Sequence, residues 1–558
     1  MRSIHVQRKR SNRALALTLA LSLFTIVLTV TSSVQAQIPT PQVVYSFQGG
    51  SADVGYDAVG IVAQGRDGNL YGTSQTRAAN GRGGVYRINP TDALAPETLV
   101  ASFPSTSYYC QGLTLGFDGN FYGTCQQGGA NNYGYVFQVT PAGVLTDIYD
   151  FTDADNDDGP TTVPVLGANG DLYGATGYTN GPCGNIYRVT TAGTYKYISG
   201  GTGFCGTTQL SPGSDGNIYG TWNNTPKSGS SGAIFKVTSS STYDEFFDFT
   251  EASVSGCART SPILASNGKL YGADICGGTN GNGAIYSLTT NGKTLTDLFN
   301  IDNTTDGGLW GNNLFQASNG NFYGASYNGA DDNGGSLFEL TSDNVFSVLV
   351  LDNSGAIAYG VAPLTSIMQH TNGTLYGTTS DNGPQPGYGA FLSFNINASP
   401  FIALVGPVPA ATEGTQIQIL GQNFTSSSEV KFGGTAATSV TVTGSTFIEA
   451  TVPTGALTGP ITVTTSSGTL STLVTFDVTP TAASFTPPSG DVGTVVTING
   501  TGLTQTTEVK FHGKKATSFT VVSDSEITAT VPTGATTGTI SVTTKGGTAT
   551  TTSKFTVN

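Results

Sequence analysis

The sequence predicts an all-β protein: a seven-bladed β-propeller followed by two tandem immunoglobulin-like β-sandwich domains. Three observations predict it. A short motif recurs seven times before residue 397 at intervals near fifty residues. A longer repeat with a constant offset of 79 residues fills the remainder. Past residue 36, short apolar runs alternate with Gly, Asn, Asp and Pro, with no helical period. Gly is abundant at 76 residues and charged residues make up only 10% of the chain, a composition suited to many tight turns.

Residues 1–36 read as a secretory signal peptide. Arg2, Arg8, Lys9, Arg10 and Arg13 form a basic start, and Ala14 to Val30 is almost wholly apolar. Ser32-Ser33-Val34-Gln35-Ala36 then supplies small residues spaced for cleavage after Ala36. An uncleaved anchor is the alternative, because an apolar run of this length lies near the spanning minimum. The small, polar flank favours cleavage. The expectation is a Sec-exported chain, secreted or at the cell surface, with no transmembrane segment after cleavage.

Residues 37–397 carry 11 basic and 28 acidic groups, net −17, and 24 of those acids are Asp. Residues 398–558 carry 6 and 8, net −2. A sparse, acidic surface argues against nucleic acid or anionic lipid as a partner.

The seven copies are Asp67-Gly-Asn-Leu-Tyr71-Gly, Asp118-Gly-Asn-Phe-Tyr122-Gly, Asn169-Gly-Asp-Leu-Tyr173-Gly, Asp215-Gly-Asn-Ile-Tyr219-Gly, Asn267-Gly-Lys-Leu-Tyr271-Gly, Asn319-Gly-Asn-Phe-Tyr323-Gly and Asn372-Gly-Thr-Leu-Tyr376-Gly. Their steps are 51, 51, 46, 52, 52 and 53 residues. Asp-Gly or Asn-Gly tolerates positive φ and makes a tight hairpin turn. The apolar residue and Tyr open a strand, and the Gly after Tyr permits a close approach, by another backbone or at a crowded axis. A second strand follows, as in Val136-Phe137-Gln138-Val139, then a third, as in Leu145 to Phe151. A fourth apolar segment, as in Pro262 to Ala265, precedes the next motif. Four short antiparallel strands in such a repeat make one propeller blade. The seventh repeat stops after Phe391 to Phe394, and the strand it lacks is found at Val43 to Phe47. That N-terminal strand is expected to complete the last blade and lock the ring, whereas an open solenoid would end in polar caps.

Six cysteines lie between residues 110 and 276, an even count in an exported chain. Cys110 and Cys125 flank the Asp118 turn, Cys257 and Cys276 flank the Asn267 turn, and Cys183 and Cys205 lie between the third and fourth motifs. The register points to three disulfides in those pairs, although the sequence alone leaves other pairings open.

The Asp-Gly-Asn-Leu-Tyr-Gly-Thr, Gly-Gly-Val-Tyr and Leu-Tyr-Asp-Phe elements resemble the GloVer tandem repeat over about residues 43–396. That resemblance implies an extracellular bacterial protein and brings no established activity with it. More distantly, the repeat is similar to the sensor propellers of hybrid regulators, where Trp takes the Tyr position.

In the C-terminal region, Gly414 to Gly421 matches Gly493 to Gly500, Glu429-Val-Lys-Phe432 matches Glu508-Val-Lys-Phe511, and Ala450 to Ala456 matches Ala529 to Ala535. Alternation in Ile461-Thr-Val-Thr464 and Ile540-Ser-Val-Thr543 marks half-buried strands of a small sandwich. Both copies, 398–478 and 479–558, resemble the IPT/TIG immunoglobulin-like domain, with His512 replacing one Gly of the second Gly-Gly turn. The resemblance implies a spacer, or a surface or polysaccharide-associated module, and no catalytic residues.

Candidate chemistry is sparse. Of three histidines, His5 lies in the signal and His512 on a predicted turn, and His370 reads as a strand-end surface residue. Gly201 to Gly206 matches a dinucleotide fingerprint but lacks the helix that would bind phosphate. Asp153, Asp155 and Asp157 are the only metal candidates, as oxygen ligands for calcium. The Gly of that run falls one place late for an EF-hand, which favours a solvated loop. Paired carboxylates for glycoside chemistry would come from Glu97, Glu245, Glu251, Glu339 or the many Asp, with nothing to single out two. The seven motif tyrosines read as inter-blade packing. No cofactor is expected. The function these features favour is a non-catalytic, monomeric binding or surface-scaffold protein with an extracellular glycan or protein ligand. The alternative is a secreted propeller enzyme, a polysaccharide lyase or glycoside hydrolase.

Overall fold

The computed structural model describes residues 41–558 except 48–55, 77–80, 91–96, 153–158, 178–183, 201–204, 208, 225–229, 251–259, 275–277, 280–282, 302–313, 327–335, 352–363, 380–388 and 407–409. Residues 1–36, read from the sequence as a signal peptide, lie outside the described residues. Among the described residues every regular element is a strand, and no helix is long and apolar enough to cross a membrane.

Each Asp/Asn-Gly motif joins the first and second strands of an antiparallel sheet. In one sheet, Tyr108–Leu115, Phe121–Gln127, Tyr135–Val139 and Leu145–Asp150 pair in chain order. Gly119 turns the first pair at φ +84°, a conformation that suits glycine, and its N–H donates to Gly116 O at 3.0 Å. The third strand is buried on both faces except at Gln138, while the outer strand is half exposed. Sheets 56–102, 165–200, 205–250, 263–300 and 315–351 repeat this order, with the first strand of 205–250 split in two. The seventh sheet combines Leu364–Gln369, Leu375–Thr379 and Ala390–Phe394 with a fourth strand from the other end of the chain, Gln42–Ser46. That strand runs antiparallel to Ala390–Phe394, with Tyr45 opposite Phe391.

The sheets are held face to face by apolar cores that each combine neighbours. Tyr71 and Val85 of one sheet meet Phe121 and Phe137 of the next, and Tyr122 and Val136 meet Leu172 and Tyr187. The pattern continues to Tyr323 and Leu337 against Leu375 and Leu392. It then returns to the start: Tyr376 and Phe391 of the last sheet pack with Val62, Leu70 and Tyr86 of the first. Tyr71 stacks on Phe121 and Tyr271 on Phe322, each with ring centroids 4.2 Å apart. Burying one such side chain is worth about 2–3 kcal/mol, so the repeated Tyr is a principal inter-sheet support.

The Gly after each Tyr has a specific neighbour. Gly72, Gly123, Gly174, Gly220, Gly272 and Gly324 stand directly across the ladder from Tyr86, Phe137, Tyr187, Phe235, Tyr286 and Phe338. A Cβ at any of the six would run into the ring of its partner. The close approach is therefore made by a cross-strand aromatic side chain, joined at Gly123 by the backbone carbonyl of Gly112.

Two smaller units follow, each a pair of sheets around one core. Ile417, Val430, Ile448, Ile461, Val463 and Phe476 fill the first, and Val496, Val509, Ile527, Ile540, Val542 and Phe555 the second. Their ladders share one register: Ile417 faces Ala450 as Val496 faces Ala529, and Val430 faces Val463 as Val509 faces Val542. At the joint between them, Thr458 N donates to Gln505 Oε1 at 2.8 Å and Glu413 is hydrogen-bonded to Asp524.

Candidate functional site

The seven motif turns are closed by their own side chains. In three repeats the tyrosine hydroxyl donates to the Asp four residues earlier: Tyr71 to Asp67, Tyr122 to Asp118 and Tyr219 to Asp215, at 2.9, 2.7 and 2.7 Å. In the other four the bond reverses, and Asn169, Asn267, Asn319 and Asn372 donate Nδ2 to Tyr173, Tyr271, Tyr323 and Tyr376 at 3.1, 2.8, 2.9 and 3.2 Å. Burial, together with the Asp carboxylate, pushes the Tyr71, Tyr122 and Tyr219 hydroxyls well above the usual phenol range. These groups are tied to one another within each turn. Glu339 is engaged in the same way, accepting from Tyr323 OH at 2.5 Å and Asn321 Nδ2 at 2.7 Å.

The first C-terminal unit sits on three of these turns. Arg66 donates Nη2 to Phe117 O at 2.6 Å and to Gln418 Oε1 at 3.0 Å, and its guanidinium lies 4.4 Å from the centroid of the Phe447 ring. Gln418 Nε2 also reaches Phe117 O at 2.9 Å, and Thr446 Oγ1 donates to Arg66 O at 2.7 Å. At the seventh turn, Gln422 Nε2 donates to Thr371 Oγ1 at 2.8 Å, Thr371 Oγ1 to Gly421 O at 3.1 Å, and Phe401 N to Thr371 O at 3.0 Å. Burial lowers the Arg66 guanidinium pKa, and the Glu449 and Asp118 carboxylates oppose that shift. The unit is thus docked on the turns of the first, second and last sheets by a network that includes a partly desolvated charge.

His370 falls beneath this contact. The sequence placed it at the surface, but it is 1% exposed. Its Nδ1 accepts from Asn372 N at 3.2 Å and its Nε2 pairs with Gly68 O at 3.0 Å, which fixes the neutral tautomer with the proton on Nε2. Burial lowers its pKa, so the ring stays uncharged and both nitrogens are occupied. A general base needs a free lone pair, so His370 is a structural residue. His512 does lie on a turn, at φ +44°, with Nδ1 2.7 Å from Thr536 Oγ1.

The other end of each sheet carries the connections between second and third strands and those between sheets. There, at the start of Tyr108–Leu115, the chain builds an exposed aromatic platform. Tyr108 is 38% and Tyr109 52% exposed. Arg82 stacks on Tyr108, its guanidinium carbon 3.7 Å from the ring centroid, and donates Nη2 to the Tyr108 hydroxyl and Nε to Ser105 O at 2.8 Å. Tyr109 adopts φ +53°, which costs a non-glycine residue about 1–2 kcal/mol. The surroundings enforce it. Cys110 is bonded to Cys125 directly across the ladder, Ser107 N closes a turn onto Pro104 O at 3.0 Å, and buried Ser107 Oγ lies 2.7 Å from Tyr135 OH. Sequence reasoning passed over this cluster. The signal that would have found it is Tyr108-Tyr109, the chain's one pair of adjacent tyrosines.

Of the expected disulfides, Cys110–Cys125 is present. Cys205 pairs through its backbone with Asn224, while its expected partner Cys183, and both Cys257 and Cys276, lie outside the described residues. The calcium candidates Asp153, Asp155 and Asp157 also lie outside them. Among the described residues, no group of three or more His, Cys, Asp or Glu is placed to hold a metal ion.

The repeat register agrees with comparison by sequence. The profile of the Gloeobacter/Verrucomicrobia repeat matches residues 27–210 and again 206–447, most of the chain. The chain belongs to the Gloeobacter/Verrucomicrobia repeat family. In this family member an IPT/TIG domain follows at residues 480–557. No curated protein sequence matches the chain. Among solved structures, a streptogramin B lyase is similar at 16% identity and a TM-score of 0.44, over 65% of this chain and 100% of that one. A catalytically inactive variant of virginiamycin B lyase from Staphylococcus aureus is similar at 16% identity and 0.43, over 64% and 98%. PorZ, a surface component of the type-IX secretion system of Porphyromonas gingivalis, is similar at 12% and 0.42, over 77% and 60%.

Proposed function

We propose that this repeat protein is exported and binds, without catalysis, an extracellular glycan or protein. In this reading the seven sheets are the blades of one closed seven-bladed propeller spanning residues 37–397. Residues 398–478 and 479–558 are two immunoglobulin-like modules of IPT/TIG type that space or attach it. The identical ladder register of the two modules supports treating them alike. The basic start, apolar run and small-residue flank of residues 1–36 support export.

One observation carries the binding reading: the polar groups repeated in every sheet bond to one another at one end of the ring. The seven Asp/Asn–Tyr pairs are internally bonded, and His370 is sealed under the docked module. The opposite end presents a half-buried cation and two exposed tyrosines. A surface of that composition recognises ligands without needing a nucleophile or a titrating base. The test is a panel of polysaccharides offered to the mature chain from residue 37 onward, with and without a chelator. Retention of a polysaccharide or protein with no new reducing ends is expected. Release of reducing ends or unsaturated sugars would overturn the non-catalytic reading.

A further inference from the structure

We infer that Tyr109, Tyr108 and Arg82 form a binding platform for an uncharged saccharide, with Tyr109 supplying the stacking face and Arg82 donating to sugar hydroxyls. The inference rests on the proposed assignment of this end of the ring as the binding face.

The display of Tyr109 is the first reason. Left-handed backbone at a tyrosine is unfavourable, and burial of the ring does not offset it, because half of the side chain faces solvent. The position is nonetheless held from both sides. The Cys110–Cys125 bond fixes the next residue, and the Pro104–Ser107 turn, tied to Tyr135, fixes the preceding ones. The strand thereby presents the Tyr109 ring to solvent from a held backbone, which lowers the ordering cost of binding.

Arg82 is the second reason. Its Nε and Nη2 are committed to Ser105 O and Tyr108 OH, which set the guanidinium plane over the Tyr108 ring. Among the described residues, Nη1 has no hydrogen-bond partner and no carboxylate pairs with the charge. An oriented pair of N–H groups beside aromatic faces matches the alternation of C–H faces and hydroxyl edges on a sugar.

Charge selects among saccharides. Residues 37–397 carry a net charge of −17, and that field raises the cost of bringing in a polyanion. A neutral hexose chain meets no such barrier.

The test is titration calorimetry on the mature chain with neutral β-glucan and mannan hexasaccharides and with an oligogalacturonate of equal length. Tyr109→Asn is the main variant, because Asn tolerates left-handed φ and leaves the loop intact. Arg82→Ala is the second, and melting curves confirm that both fold. The expected result is binding of a neutral hexasaccharide that weakens about ten-fold or more in Tyr109→Asn, with little change in melting temperature. Wild-type binding that Tyr109→Asn leaves untouched would overturn this site while leaving the broader binding reading in place. Binding of oligogalacturonate alone, or of no saccharide, would overturn the ligand class.

Discussion

The Tyr-Gly pair of the repeat shows how one residue type serves one contact many times. Tyr fills the space between neighbouring sheets and ties its hydroxyl to the turn four residues back. Gly makes room for the aromatic ring across the ladder. Gly174→Ala places a methyl group against buried Tyr187 and is expected to destabilise the ring by about 2 kcal/mol, read as a lower midpoint in urea unfolding. An unchanged midpoint would mean that Tyr187 has room to shift. The motif's spacing and strand position were legible in the sequence because turn chemistry and period are local. The cross-strand aromatic behind the Gly was not, since it depends on ladder register. The same holds for His370: nothing local distinguishes an exposed strand end from one covered by residues three hundred positions away, such as Gly68.

At the scale of elements, the telling departures are those from the repeat. Six of the seven motif-preceding positions are Arg66, Phe117, Ala168, Ser214, Ser266 and Ser318. Arg66 and Phe117 are the large ones, and both receive the first C-terminal unit. The joint between the two C-terminal units has a signature that no sequence pattern reveals. Burial and the facing Asp524 raise the Glu413 carboxyl pKa to about 7. Burial also pulls Asp524 upward, yet hydrogen bonds from Glu413, Thr504 and Gly502 outweigh it and hold Asp524 below its usual range. A carboxyl with a raised folded pKa stabilises the joint fully below its unfolded pKa and loses that contribution as pH rises through about 7. Thermal melts between pH 5 and pH 8 should show the C-terminal transition falling toward the alkaline end. Glu413→Gln, which keeps a donor toward Asp524 and cannot ionise, should flatten that dependence. A slope shared by wild type and variant would place the titration elsewhere.

At the scale of the whole molecule, the first and last sheets share a core. Six inter-sheet cores join sheets that are adjacent in sequence, and the seventh, around Phe47, Val62, Leu70, Tyr376 and Phe391, joins the two ends of the array. The loose strand at the start and the missing strand at the end made this pairing legible, since an unpaired edge beside Ala390–Phe394 would otherwise remain. The length of the repeat placed the strands, and the composition placed the turns. The placement of the first C-terminal unit on the ring was not readable, because it rests on contacts such as Arg66 to Gln418 between parts of the chain that share no pattern. If the seven sheets form one closed ring, its stability is cooperative and depends on Gln42–Ser46 as much as on any interior strand. The most direct measurement is calorimetric unfolding of the mature chain beside a variant lacking residues 37–48. Closure predicts that the deletion lowers the melting temperature of the whole ring as a single transition. A truncated chain that melts at the parent temperature, or that loses only a small separate transition from the last sheet, would contradict it.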